Sequence, residues 1–128
     1  MSAASAAAAR HHPRVRRVYD VPEPDDGARV LVDRLWPRGL SKEEAELDDW
    51  PKAVTPSTEL RRWYHATDEG DAAFAEFRER YLAELAEPEP ATALDALRAK
   101  VAAGPVTLLT ASKHPERSHA AVLLERLS

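Results

Sequence analysis

Val106-Thr107-Leu108-Leu109-Thr110-Ala111 is an almost unbroken apolar run, bounded by Gly104-Pro105 on one side and by Ser112-Lys113-His114-Pro115 on the other. The run has strand length and no polar alternation, so it predicts a strand buried on both faces, as in a parallel sheet. Before it, at about Ala91–Ala103, Leu94, Leu97 and Val101 fall on one side of a helix. After it, from about Ser118, Ala120, Leu123, Leu124 and Leu127 mark a second helix. A helix on each side of a buried strand predicts an α/β fold, a small layered domain with a largely parallel sheet flanked by helices.

Working outward, Val15–Tyr19 and Ala28–Leu35 read as two further strands, divided by a turn through Val21–Gly27 that Pro22, Pro24 and Gly27 punctuate. Ser41 and Glu44 have the spacing of a capping box for a short acidic helix. Trp50–Val54 is a weak strand candidate ahead of Pro56. Ser57 is placed to cap a helix in which Leu60, Trp63 and Tyr64 share a face. Phe74, Phe77, Tyr81 and Leu85 recur at spacings of three and four, which predicts the longest helix over about Asp71–Ala86. Pro88 and Pro90 separate it from the next.

The chain has 128 residues, 44% hydrophobic and 31% charged, the size and composition of one globular domain. That domain is assigned to residues 14–128. Residues 1–13, rich in Ala and Ser and lacking Leu and aromatic residues, read as a disordered tail. Arg10 follows the short alanine-dominated segment where an export leader would carry its charge first, so a cytoplasmic location is expected. No apolar run reaches the roughly 18–20 residues needed to cross a bilayer, which argues against a membrane partner. With no cysteine, thiol nucleophiles, disulfides, thiolate zinc sites and iron–sulfur clusters are excluded. His11 and His12 are adjacent tail histidines without convergent ligands, so neither a metal site nor a cofactor is expected.

The net charge of −4 conceals an asymmetry, because Arg10, Arg14, Arg16 and Arg17 carry +4 ahead of the first acid, Asp20, and leave −8 for the remainder. So acidic a body is a poor general surface for nucleic acid, whose affinity rests largely on cations displacing counterions.

Two segments at predicted strand ends, where open α/β sheets place their ligands, hold most of the unusual side chains. Asp33-Arg34-Leu35-Trp36-Pro37-Arg38-Gly39 sets paired guanidiniums beside stiff turn residues, either to clamp an anion or to pair with Asp48, Asp49 or Glu46. Thr110 to His119 runs from strand to helix start, a natural anion cradle that Lys113, Arg117 and His119 would reinforce. Ser118 reads as a helix cap more readily than as a nucleophile, and His119 as either an acid/base group or a hydrogen-bonded helix-end residue. A third group, Pro56 to His65, places Arg61 one helical turn from Tyr64 and His65.

These motifs together, Arg17-Val-Tyr-Asp20, Asp33-Arg-Leu-Trp-Pro-Arg-Gly39, Pro56-Ser-Thr-Glu-Leu-Arg61 and Val106-Thr-Leu-Leu109 with Lys113 and His119, resemble the YeaO-like branch of the domain of unknown function 488 family. The likeness covers nearly everything from Val15 to Leu127, and Leu-Trp-Pro-Arg-Gly is its most specific part. It implies a small bacterial cytoplasmic α/β protein without an assigned reaction. Relatives often carry cysteine or asparagine where Ser118 stands, and tyrosine where Thr110 stands, so no thiol mechanism transfers to this chain. Arg34, Trp36, Arg38, Arg61, Lys113 and His119 match the family pattern.

The reading that follows is one pocket for a small phosphate- or carboxylate-bearing ligand. Arg34, Arg38 and Arg61 would clamp the anion beside Trp36, Lys113 would add field, and His119 would donate or exchange a proton. Hydrolysis or group transfer is the chemistry such groups support. The alternatives are a non-catalytic binding or regulatory module, which could contact nucleic acid through Arg10, Arg14, Arg16 and Arg17, and a structural partner protein with Trp36 and Trp63 at an oligomer interface.

Overall fold

The computed structural model describes residues 12–128, so most of the tail expected over 1–13 lies outside the described residues. Three strands, β1 (Arg14–Arg17), β2 (Ala28–Leu31) and β3 (Val106–Thr110), form an all-parallel sheet in the order β1-β3-β2. The apolar run is its centre. Each of the five residues of β3 is buried, and the two outer strands pair with it in registers that set Val15 and Val30 on either side of Leu108.

Among the described residues five helices follow in chain order: α1 (Lys42–Ala45), α2 (Thr58–His65), α3 (Asp71–Leu85), α4 (Pro88–Ala103) and α5 (His119–Leu127). The pleat sends alternate residues to opposite faces. Val30, Val32, Val106 and Leu108 enter the main core, where they meet Tyr64, Phe77, Tyr81, Leu97 and Leu123 from α2 to α5. Val18, Leu31 and Leu109 face the other way and are covered by Trp36, Leu40, Leu47 and Trp50. Helices therefore cover one face, and a tryptophan-bearing connection covers the other.

The strands are shorter than expected, although main-chain bonds from Val18 to Thr110 (2.9 Å) and from Val32 to Leu109 (3.0 Å) carry the pairing one step further. The strand expected at Trp50–Val54 is instead a 3-10 turn over Lys52–Val54. Pro51 has no N–H to give a ladder, and the chain meets the free edge of β2 just before it, where Leu31 donates to the Asp49 carbonyl at 3.0 Å. Helix α4 starts at Pro88, not near Ala91, and is one residue longer than α3. Its prolines begin the helix because first-turn N–H groups have no intrahelical partner to lose.

Gly27, at φ +62°, delivers the chain into β2 so close to Pro105 that a Cβ there would collide with the Pro105 carbonyl. Asp26 beside it is buried and receives Arg14, Arg16 and Arg29, while Thr107 Oγ1 donates to its carbonyl at 2.8 Å. Among the described residues no helix is long and apolar enough to cross a membrane.

Candidate functional site

The carboxyl ends of β2 and β3 meet at Asp33. Its Oδ1 accepts from Thr110 Oγ1 at 2.7 Å and lies 3.0 Å from His119 Nε2, while Oδ2 accepts from the Ala111 N–H at 2.8 Å. Desolvation pushes the Asp33 carboxyl up, but His119, the Ala111 N–H and Thr110 outweigh it and hold its pKa below the ordinary value. An ionised carboxylate only accepts, so the proton in this contact sits on His119 Nε2.

Past Asp33 the chain forms one wall of a cleft. Arg34 turns aside and donates from Nε to the Pro56 carbonyl at 3.1 Å and from Nη2 to the Thr55 carbonyl at 3.4 Å. Trp36 stands edge-on to Trp50 at 5.4 Å, and its indole N–H donates to the Leu40 carbonyl at 2.6 Å. Trp50 in turn donates to the Asp33 carbonyl at 2.6 Å, and the Tyr19 hydroxyl donates to the Arg38 carbonyl at 3.0 Å. Gly39 closes this turn at φ +77°. The Asp33–Gly39 loop is thus pinned at several backbone points.

Helix α2 supplies the second wall. Ser57 caps it, accepting from the Leu60 N–H at 3.1 Å and donating to Glu84 Oε2 at 2.6 Å. Arg61, Tyr64 and His65 face the cleft from this helix, and the Tyr64 hydroxyl reaches the Arg117 carbonyl at 3.0 Å. The third wall is the Ser112–Ser118 loop. Arg17 braces it from β1, donating to the carbonyls of Ala111 (3.1 Å) and Ser112 (3.0 Å). Ser112 Oγ accepts from the His114 N–H at 3.2 Å. Ser118 caps α5, accepting from the Ala120 N–H at 3.1 Å and donating to the Pro115 carbonyl at 2.7 Å.

The cleft measures about 600 Å³, and Arg34, Trp36, Arg38, Arg61, Lys113 and His119 all line it. Their surroundings differ. Arg34 through Nε and Nη2, Trp36 through its indole N–H and His119 through Nε2 are each bonded to the protein itself. Arg38, Arg61 and Lys113 have no side-chain hydrogen bond or ion pair among the described residues, and neither Arg34 nor Arg38 pairs with Asp48, Asp49 or Glu46. Among the described residues no group of three or more His, Asp or Glu side chains is arranged to hold a metal ion.

Of the basic residues near the amino terminus, Arg14 and Arg16 are bound to Asp26 and Glu23, and Arg17 to the loop carbonyls. Arg10 lies outside the described residues. Trp36 is part of the smaller core, and Trp63 packs on the main core with the Arg80 guanidinium 4.3 Å from its ring centre. Residue type alone does not mark Asp33 as the anchor or Arg17 as the brace. The one cue for Asp33 is an acid placed directly after the apolar Val30-Leu31-Val32.

A three-stranded parallel sheet flanked by helices, with a cleft at its strand ends, defines a small α/β protein. The family described as the inactive DUF488-N3 subclade matches residues 13–128, and the chain belongs to it. It is similar to the uncharacterised protein YeaO of Escherichia coli, 49% identical over 113 residues that cover 88% of this chain and 93% of that one. It is also similar to the uncharacterised protein Rv3073c of Mycobacterium tuberculosis, 48% identical over 115 residues that cover 90% of this chain and 92% of the relative. No solved structure matches it significantly.

Proposed function

We propose that the cleft binds a small phosphate- or carboxylate-bearing molecule and that the protein acts by holding it, without covalent turnover. The observation that carries this reading is the set of three cations, Arg38, Arg61 and Lys113, that enter one cleft from three separate segments without a partner among the described residues. Guanidinium and ammonium groups left unpaired around a concave site favour an anion there. The first turn of α5 borders the same space and adds the positive end of its helix dipole.

Support for binding without turnover comes from the hydroxyls. Nucleophilic catalysis needs an accessible hydroxyl next to a base, whereas Ser118 donates to the Pro115 carbonyl, Ser112 Oγ has no side-chain base bonded to it among the described residues, and Thr110, which donates to Asp33, is fully buried. Asp33 holds His119 Nε2 and so fixes the orientation of the imidazole in the cleft. The description of the matching family as inactive agrees with this reading.

The test is calorimetric and thermal-shift titration with inorganic phosphate, phosphate esters and carboxylates. Binding anions raise the Tm through mass action, and the Arg38→Ala, Arg61→Ala double variant loses the shift. An unchanged shift in that variant rejects the site. Ester hydrolysis by the wild type that His119→Ala abolishes with the fold intact rejects the non-catalytic half.

A further inference from the structure

Among the described residues three large hydrophobic side chains stand exposed: Val21 at 78%, Leu35 at 62% and Tyr19 at 42%. Two of them, Leu35 and Tyr19, line the same cleft as the unpartnered cations. Scattered exposed apolar residues need no explanation, but two collected at the rim of a concave basic site mark a surface that a ligand covers.

The rim is held in place. Leu35 lies between Arg34, bound to the Thr55 and Pro56 carbonyls, and Trp36, bound to the Leu40 carbonyl. Tyr19 is fixed at both ends, by its hydroxyl on the Arg38 carbonyl and by the Arg17 guanidinium 5.2 Å from its ring centre. Deeper in the cleft the lining continues with Tyr64 and Phe77, stacked at 4.6 Å. Apolar side chains thus share the cleft with Arg61 and Lys113, and Tyr19 and Tyr64 are held there by hydrogen bonds within the chain. Preorganised apolar surface adds affinity only for a ligand with apolar area to bury.

We propose that the molecule held here is amphipathic: an anionic head at Arg38, Arg61 and Lys113, joined to an aryl or alkyl body that covers Leu35 and Tyr19. This rests on the anion-binding reading above and adds the chemical class of the remainder of the ligand. A purely hydrophilic anion of the same charge would leave the rim in water and gain nothing from it.

The experiment is isothermal titration of the full chain with matched pairs that share a head and differ in body, phenyl phosphate against glycerol 3-phosphate, and benzoate against glycolate. In whichever pair binds, the apolar member is expected to bind about tenfold tighter, the gain from removing a small hydrocarbon body from water. Leu35→Ser, a change at an exposed position, is expected to shrink that preference about threefold while leaving the hydrophilic member's Kd unchanged. Leu35→Gln replaces it if the serine variant does not fold. Equal affinity within a pair, or a preference untouched by the Leu35 variant, overturns the amphipathic assignment and leaves the anion site standing. Absence of binding by all four compounds overturns the anion site itself.

Discussion

His119 Nε2 lies 3.0 Å from Asp33 Oδ1 although 86 residues separate them, and the contact ties the end of β2 to the first turn of α5. Both side chains are 15% exposed, so the pair is largely withdrawn from water and also forms part of the cleft. The bond that shapes the candidate site is therefore also a bond of the fold, and the two roles separate experimentally.

Replacing Asp33 with asparagine removes the charge that the Ala111 N–H, Thr110 and His119 all address. The expected loss is about 1.5–3 kcal/mol at neutral pH, the usual worth of hydrogen bonds to a charged group, read from urea denaturation. Because the folded pKa of Asp33 lies below its unfolded value, its contribution is complete above the unfolded value of about 4 and fades as pH falls through the folded one. The gap between wild type and Asp33→Asn should close at strongly acid pH. A gap that stays constant with pH would show that the carboxylate's charge is not what stabilises.

Asp26 makes a second acid-labile point. Burial pushes its carboxyl up, but the Glu23 N–H and the guanidiniums of Arg14, Arg29 and Arg16 bring it far below the ordinary range. Asp26→Asn leaves the buried Arg29 short of its counter-charge, and a cost of about 3–5 kcal/mol is expected, measured as the drop in unfolding free energy at pH 7. The wild-type stability lost on acidification should shrink in this variant. An unaltered acid profile would remove Asp26 from the account.

Arg34 and Arg61 line one cleft yet should respond oppositely to truncation. Arg34→Ala frees the carbonyls of Thr55 and Pro56 and is expected to lower stability by about 1–2 kcal/mol. Arg61→Ala removes a side chain with no partner among the described residues, so the Tm should hardly move while affinity for the bound anion falls about tenfold. Comparable destabilisation in both variants would mean that Arg61 is structural.

Ser118→Ala deletes the cap of α5 and should cost about 1 kcal/mol in urea denaturation. Anion affinity, compared at a temperature where the variant is fully folded, should stay within about twofold of wild type. A much larger loss of binding would assign the hydroxyl to the ligand.

Most of the sheet and helix plan was legible because it rests on local periodicity. The run Val106–Ala111, the stripe Phe74, Phe77, Tyr81 and Leu85, and the caps at Ser41, Ser57 and Ser118 are each readable within one helix or one strand. Trp50–Val54 misled because its apolar residues bury against the second face of the sheet and the end of α3 without joining a ladder. Trp50 packs there on Trp36, and Tyr81 hydrogen-bonds the Val54 carbonyl. Burial of that kind leaves the same composition as a strand.

The sequence by itself determined the α/β plan, the absence of cysteine chemistry and the segments rich in cations, since each follows from residue type and near-neighbour spacing. Only the tertiary structure decided which cations are already used. Arg17 and Arg34 look no different in sequence from Arg38 and Arg61, yet the first two hold loop carbonyls and the last two have no partner among the described residues. The reason is physical: a guanidinium's partner is set by what the fold brings within about 3 Å, and for Arg17 those acceptors come from 94 and 95 residues away.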